Sequence, residues 1–519
     1  MIKMENKLTK RLFDKALEKR FWVLFFACLL CGLLEVFTFW QNWFLYSAQT
    51  IFLITLPFFA IFLANKYVKG EKIDEKTAIF LIFAFGFIFR LVYIQSTGYL
   101  IRQHDVGGTN GHYAYMLKFY SHQALPDKLT WQYYQPPVWH YICALFLHIQ
   151  VSLGVAFEAA RENLQLISLF CSSAIMLVSY KLFKLFGLNG KGMVFAFAFV
   201  AFHPTFIILS GSINNDVLSL LLSLTAVYLA IKWYREPKMK TILLLALSIG
   251  FSMGVKLSGG LISLGVAILF AIHLFGKQYK DKIGLIKQFA SFGVICVPIA
   301  LWWQVRNFIK FDTPFTYIPK LSDTSTQYIG FRSFFERIFD FSSLFENGVY
   351  PARAIESKAD LYEYYEYNIP LGALKSSVFG EYYIGQSTSI GNFIAKLLFW
   401  SAVLITLISI VACVYFVVKA IKNKENCEFY KPSELIFTVI CGLTIIISYV
   451  KFCFDFAHYC TMDFRYIAMT VVFAALYIGL LVKDRNKNNK IFDRIVVNGT
   501  FALVAVFAVS SLLLYGTLA

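Results

Sequence analysis

Apolar runs of bilayer length, separated by short polar connectors, repeat along almost the whole chain. They occupy 21–40, 44–64, 77–97, 164–186, 192–210, 214–234, 241–257, 259–276, 285–305, 392–418, 434–452, 464–482 and 495–515. A helix of about 17–25 residues crosses the hydrocarbon of a membrane. The pattern therefore predicts an all-α polytopic membrane protein with about 13 transmembrane helices. Two long polar segments interrupt it, 98–163 and 306–391.

A further apolar stretch, 136–153 (PPVWHYICALFLHIQVSL), decides the topology. Residues 1–20 carry seven Lys or Arg and 65–76 carry four, which places both on the cytoplasmic side. Were 136–153 to cross, the basic connectors Lys181 to Lys191, Lys232 to Lys240 and Lys277 to Lys287 would all fall outside. If it does not cross, they lie inside together with Lys419 to Lys431 and Lys483 to Arg494. The stretch is thus expected to be an interfacial or re-entrant helix, its Trp139, His140 and Tyr141 at headgroup level. The N-terminus is then inside, the C-terminus outside, and both long polar segments are extracytoplasmic. The second should be a small folded cap, since a structureless connector of that length is uncommon. Its Leu361-Tyr-Glu-Tyr-Tyr-Glu-Tyr run reads as an amphipathic interfacial helix or a solvated loop.

Composition narrows the class. The 519 residues are 58% hydrophobic and 18% aromatic, with a mean hydropathy of +0.62, values that exclude a water-soluble domain of this size. The formal charge of +17 resides in the connectors, which is the positive-inside distribution and excludes a nucleic-acid face. The first twenty residues are too charged for a cleavable leader, so 21–40 reads as a retained span. Most of the ten cysteines sit in apolar runs as small hydrophobes, the Cys28/Cys31 pair included. Cys453 and Cys460 flank an outer loop at a spacing a disulfide could close.

The candidate chemistry is concentrated in the first outer segment, Arg102 to Pro137. Asp105 follows His104 and precedes a Gly-Gly-Thr-Asn-Gly turn, where the backbone can fold tightly beside a ligand. Its carboxylate is either a general base for an acceptor hydroxyl or the cap of the helix that begins near Gly111. His104, Asp105 and His112 together offer donors for a divalent ion, without the spacing of any fixed metal motif; no cofactor is otherwise called for. Further polar groups gather at outer span ends: His203, Asn215 and Asp216, Lys256, Arg306, Arg465, and Glu381 just before a span. Charge at the rim of a membrane bundle is costly and reads as functional by default, with snorkelling to the headgroups as the alternative for Lys256 and Arg306. Arg90 lies deep in the span 77–97 and needs a partner.

The order of these motifs carries a resemblance. His104-Asp105, an aromatic helix, Leu125-Pro126, Tyr134-Gln135-Pro136-Pro137, His203-Pro204, Asn214-Asn215-Asp216, Lys256, Arg306-Asn307 and Phe464-Arg465-Tyr466 together resemble the polytopic C-type glycosyltransferases. Within them the chain is similar to the protein O-mannosyltransferase and lipid A aminoarabinose transferase group. The resemblance spans about 77–310, and in the last third only Asp463 to Tyr466. It implies an inverting, metal-optional transfer from a polyprenyl-phosphate-linked sugar to a glycan, lipid or protein acceptor on the extracytoplasmic face; the short connectors and the Lys-, Ile- and Phe-rich composition favour a bacterial cytoplasmic membrane. By position, Asp105 takes the place of the loop acid, and Lys256, Arg306 and Arg465 those of phosphate-binding cations. Val106 stands where many members carry a second acid, leaving Asp105 as the lone base. The expected organisation is a two-span extension (1–76), a transferase membrane module (77–310), a cap (311–391) and a four-span bundle (392–519). A transporter or lipid flippase is the alternative class, but it would need polar groups along a path to both faces, and here intramembrane polarity gathers at one end.

Overall fold

A computed structural model describes residues 74–516 apart from 102–104, 109, 277–278, 347, 357–360, 382–387, 424–429 and 487–489. The two expected spans before residue 74, the Cys28/Cys31 pair and His104 lie outside the described residues. The other eleven expected spans each coincide with helix. They are α1 (Glu75–Ser96), α5 (Gln165–Leu185), the broken pair α6 (Gly190–Ala201) and α7 (Pro204–Gly211), α8 (Asp216–Arg235) and α9 (Met239–Val255). Next come a 3-10 turn, Leu257–Ile262, running into α10 (Ser263–Phe275), and α11 (Lys282–Phe311). After the cap follow α15 (Ser389–Asn423), α16 (Pro432–Asp455), two 3-10 turns, Tyr459–Met462 and Phe464–Ile467, leading into α17 (Met469–Arg485), and α18 (Ile491–Gly516).

Among the described residues, eight helices have the length and apolarity to cross a bilayer, and ten do if each of two bent pairs counts as one span. On α11 and α15 the outward residues are Ile283, Val294, Phe308, Ile309, Leu407, Ile410 and Val411, all exposed. Such a belt is stable only against lipid. The chain is a multi-pass membrane protein.

Inside the bundle, α6 and α17 pack backbone to backbone. A Cβ on Gly192 would stand 2.5 Å from the Gly479 carbonyl, and one on Gly479 would stand 2.9 Å from that of Gly192. Small residues permit this approach between membrane helices, and it fixes α17, which carries the Arg465 turn at its start. The 42° bend between α6 and α7 falls at His203-Pro204. Proline donates no N–H, and the Thr205 amide turns to His203 Nδ1 at 3.3 Å, so the Ala201 carbonyl is left without a helical donor. Arg90 supplies one: its Nη1 donates to Ala201 O and to Gly86 O at 2.8 Å, and its Nε to Ser172 Oγ at 2.9 Å. That is the partner the sequence left unnamed.

The basic connectors share one end of the bundle. Lys184 and the Gly190 amide both reach Glu75, at 3.3 and 2.7 Å, and Lys483 donates to Gly187 O at 2.6 Å. Lys419 meets Asp484 at 3.2 Å, Phe186 packs on Tyr430, Arg235 grips Glu434 at 2.7 Å, and His273 bonds Tyr234 O at 2.7 Å. Because the start of α1 and the end of α5 meet, no net crossing occurs between them. The intervening helices α2 (His112–His122), α3 (Val138–Ser152) and α4 (Phe157–Glu162) therefore stay at the opposite end, as the connector charges require.

The segment after α11 is folded. It holds α12 (Phe334–Phe339), α13 (Ser343–Glu346), a hairpin of β1 (Ala352–Glu356) and β2 (Leu361–Tyr365), and α14 (Ile369–Phe379). The strands are antiparallel with Ala354 opposite Glu363. This corrects both readings of the Leu361 run, because consecutive tyrosines favour an extended, paired backbone over helix or loop. It is the one departure from an all-helical fold among the described residues. The Cys453–Cys460 disulfide that the spacing would allow is not formed: both thiols are free, and Cys453 Sγ donates to Thr461 O at 3.3 Å.

Candidate active site

The Asp105 turn is closed by backbone. Asp105 has φ 55°, a left-handed conformation uncommon for residues other than glycine, asparagine and aspartate. Its carbonyl and that of Val106 accept from the His112 and Tyr113 amides at 2.8 and 3.2 Å, which satisfies the first turn of α2. A Cβ on Gly111 would lie 2.1 Å from Gly107 O and 2.6 Å from Val106 O, so the turn closes only over glycine. The N-cap of α2 is Gly111, with no side-chain hydrogen bond. Asp105 thus serves α2 through its carbonyl, and its carboxylate is directed elsewhere.

That carboxylate, 30% exposed, meets Arg465 Nη2 at 3.1 Å. Arg465 belongs to the 3-10 turn Phe464–Ile467, whose N-cap is Asp463 with Oδ1 accepting the Arg465 amide at 2.7 Å. Its Nη2 also donates to Tyr466 Oη at 2.9 Å, and its Nε lies 3.6 Å from Asp216 Oδ2. Asp216 opens α8, where the helix N-terminus favours an anion. Its other oxygen takes a charge-assisted hydrogen bond from Lys256, whose ammonium sits 4.6 Å from the centre of the Tyr466 ring. Two carboxylates and two cations thus alternate as Asp105, Arg465, Asp216, Lys256. Asn215 ties the start of α8 to the end of α9 through Val255 O at 2.9 Å and reaches Gln135 Oε1 at 3.3 Å.

This set lies in a cleft of about 1390 Å³, open mouth included, whose far wall is Trp303, Asn307 and the Pro314–Ile318 stretch. A second space of about 470 Å³ continues from Asp216, Lys256 and Arg465 between Leu220, Leu261, Ile445 and Met469. Ser219, Ser223 and Ser258 line this smaller space beside those apolar residues, whereas the larger cleft carries the broader apolar wall, with Leu261, Ile445, Phe452 and Trp303. His112 lines the cleft and bonds His140, Nδ1 to Nε2, at 2.8 Å. Burial holds His112 down to about 4, against the opposing pull of Asp105 and Asp216 and with the help of Lys256 and Arg465. Burial likewise keeps His140 well below the usual histidine range. The two rings form a neutral pair.

Three of the four groups expected to converge do so: Asp105, Lys256 and Arg465. Arg306 stands apart, its Nη2 on Pro126 O at 2.6 Å, its Nη1 on Asn307 Oδ1 at 2.8 Å and its guanidinium 4.6 Å from the centre of the Trp303 ring. His203 does not line the cleft; it caps α7 and is enclosed by Phe199, Phe206, Phe464 and Phe507. Glu381 follows α14, and both it and Asp105 act electrostatically on Cys460. The metal reading includes His104, outside the described residues; among the described residues no three His, Cys, Asp or Glu are grouped to hold an ion. Tyr466, Gln135 and Trp303 were not singled out from sequence as site residues. Aromatics are so common in this chain that only the fold distinguishes those that face the cleft.

Residues 150–315 match the family model described as dolichyl-phosphate-mannose-protein mannosyltransferase. Over that segment the chain resembles the protein mannosyltransferases. The C-type glycosyltransferase resemblance read from the motif order is borne out there, and the segment contains Asn215, Asp216, Lys256 and Arg306, whereas Asp105 and Arg465 lie outside it. Among solved structures, the chain is similar to ArnT from Cupriavidus metallidurans bound to undecaprenyl phosphate, at 13% identity and a TM-score of 0.45, with 84% of this chain and 75% of that one covered. It is also similar to the same protein in the apo state, at 13% identity, a TM-score of 0.43 and the same coverage. No curated protein sequence matches.

Proposed function

We propose that the protein is a membrane glycosyltransferase that moves a sugar from a polyprenyl-phosphate carrier to an acceptor hydroxyl at the extracytoplasmic face. One observation carries the reading: Asp105 meets a Lys256–Asp216–Arg465 set in a cleft of about 1390 Å³ that also has a broad apolar wall. The mannosyltransferase match over 150–315 supports the reaction class.

In this reading the prenyl tail lies along the apolar wall of the cleft beside Leu261, Ile445 and Phe452, and its phosphate reaches Lys256 and Arg465. The four charges balance without substrate, so an incoming phosphate must displace one carboxylate. Asp216 is buried and held by both cations, whereas Asp105 is 30% exposed and meets Arg465 at 3.1 Å. The more exposed carboxylate is the one that yields, so phosphate takes the place of Asp105 on Arg465 and leaves the Asp105 carboxylate beside the acceptor. The acceptor oxygen attacks the anomeric carbon from the face opposite the phosphate, its proton passing to Asp105. The bond from carbon to phosphate oxygen breaks with its electron pair on the phosphate, where Lys256 and Arg465 meet the new charge. The sugar inverts. Asp216 is a positioning residue in this scheme: as an anion it holds the cations and does not touch the phosphate.

The test is transfer from a panel of polyprenyl-phosphate sugars by the purified chain. Asp105→Asn should lower turnover by about 10²–10⁴-fold and leave carrier binding intact or tighter, since the competitor for Arg465 is neutralised. Arg465→Ala should weaken both. Native turnover in Asp105→Asn removes the general base from the mechanism.

A further inference from the structure

A second cavity, of about 960 Å³ and sharing no lining residue with the catalytic cleft, lies between the cap and the end of α16. Its floor is cationic. Arg337 is 2% exposed; its Nη2 donates to Cys453 O at 2.9 Å and its guanidinium lies 4.8 Å from the centre of the Phe454 ring. Its Nε has no partner, and no described carboxylate lies within ion-pair distance. His458, 3% exposed, bonds Ser322 O through Nε2 at 3.0 Å, while its Nδ1 is unpartnered. Lys320 stands exposed on the rim. The acids of the neighbourhood are largely spoken for: Asp455 by Lys451 at 2.5 Å and Glu336 by Arg332 at 3.0 Å, leaving the exposed Asp323. A buried guanidinium without a counter-ion is costly, and an anion entering here would relieve that cost.

The surroundings identify what carries the anion. The cavity is built on Phe454 to His458, which terminate a candidate span, so it opens at headgroup height. Beside it the cap turns Phe331, Phe334, Phe335, Phe339 and Phe345 outward, at 71%, 57%, 72%, 62% and 86% exposure. Phe334 stacks on Phe454 at 5.4 Å, joining this apolar face to the cavity wall. With Phe341 at 44% exposure, six outward phenylalanines in fifteen residues need apolar cover, and the adjoining guanidinium needs a negative charge. We infer that this cavity binds the phosphate of an anionic membrane phospholipid, whose acyl chains lie along the phenylalanine face and anchor the cap to the outer leaflet.

The experiment uses the full-length chain in neutral detergent, with short-chain phosphatidylglycerol, short-chain phosphatidylcholine and inorganic phosphate as probes, read by native mass spectrometry and thermal shift. Phosphatidylglycerol should bind saturably, with phosphatidylcholine at least about tenfold weaker. Arg337→Gln should abolish that preference. Because Arg337 also caps the end of α16, Lys320→Glu, at an exposed position, provides a second variant that should weaken phosphatidylglycerol several-fold without altering the melting temperature of the lipid-free protein. Phe335→Ser with Phe339→Ser should weaken it too, while Arg465→Ala should leave it unchanged. Equal binding of the two lipids, native affinity in Lys320→Glu, or displacement by inorganic phosphate at the concentration at which the lipid binds would overturn the inference.

Discussion

Asp105 does two jobs with two groups, and the turn around it explains how. Its carbonyl completes the first turn of α2 while its carboxylate points at Arg465, which requires the chain to double back over Gly111. Gly111→Ala should therefore open the turn, since a methyl would sit 2.1 Å from a carbonyl oxygen. The expected result is transfer activity down by at least about tenfold with the fold retained, a loss of positioning of the sort that about 1 Å of displacement produces; activity within twofold of native would show that the turn is not needed. The neutral His112–His140 pair makes a second prediction. The folded pKa of His112, about 4, is below its ordinary 6.5, so the unfolded chain binds more protons between these values. Its stabilising contribution is therefore complete above 6.5 and is lost as pH falls toward 4, on the order of 3 kcal/mol at about 1.4 per unit. Melting in detergent from pH 7 to 4 should show a shallower decline for His112→Asn than for the native chain, and parallel curves would rule the pair out as the cause. At this scale the sequence was legible where chemistry singled a residue out. Asp105, Lys256 and Arg465 were readable because a charge beside lipid needs a reason. The role of Asp216 was not, because only the fold shows a carboxylate bridging two cations, nor was that of Arg306, whose half-exposed guanidinium finds a backbone carbonyl 180 residues away in sequence.

Among elements, the broken span shows why polarity at a rim can mislead. His203 carries the signature of a site residue, yet its ring closes a kink: the proline removes a donor, the histidine caps the new helix, and Arg90 reaches across from α1 to the orphaned Ala201 carbonyl. Arg90 lines none of the three cavities described above. Arg90→Met keeps most of the volume and removes the donors, so it should cost about 1–3 kcal/mol for the unsatisfied carbonyl, seen as a lower melting temperature, with the KM for donor unchanged. A rise in KM without loss of stability would instead make Arg90 part of the binding site. Helices were legible as elements because their apolar runs are long and the bilayer fixes their length. The cap was legible only as a folded unit. Its hairpin was not, since a run of tyrosines and glutamates suits either an amphipathic helix or a strand, and the choice is made by β1, nine residues earlier, which no local pattern identifies as its partner.

For the whole molecule the decisive fact is that one end of the bundle gathers the basic connectors and the other gathers Asp105, Asp216, Lys256 and Arg465. The end of α18 belongs with the second set, since Tyr515 donates to the Val378 carbonyl and packs edge-on against Tyr93 near the end of α1. Glu75 and Lys184 touching across 109 residues fix the number of crossings between them as even, so α3, an apolar helix of 15 residues, lies along the membrane surface or dips into it. Positive connectors are retained on the cytoplasmic side, and the proposed orientation, with the cleft outside, follows that rule. Single cysteines at Gly108 and Lys184, in a background without other reactive thiols, put this to a direct test in intact cells. An impermeant maleimide should label Gly108→Cys at once and Lys184→Cys only after permeabilisation. Labelling of both from outside would mean that α3 crosses, and labelling of Lys184→Cys alone would invert the protein. Either result would remove the lipid-linked donor at the outer leaflet from the mechanism, because the cations that receive its phosphate would face the wrong compartment.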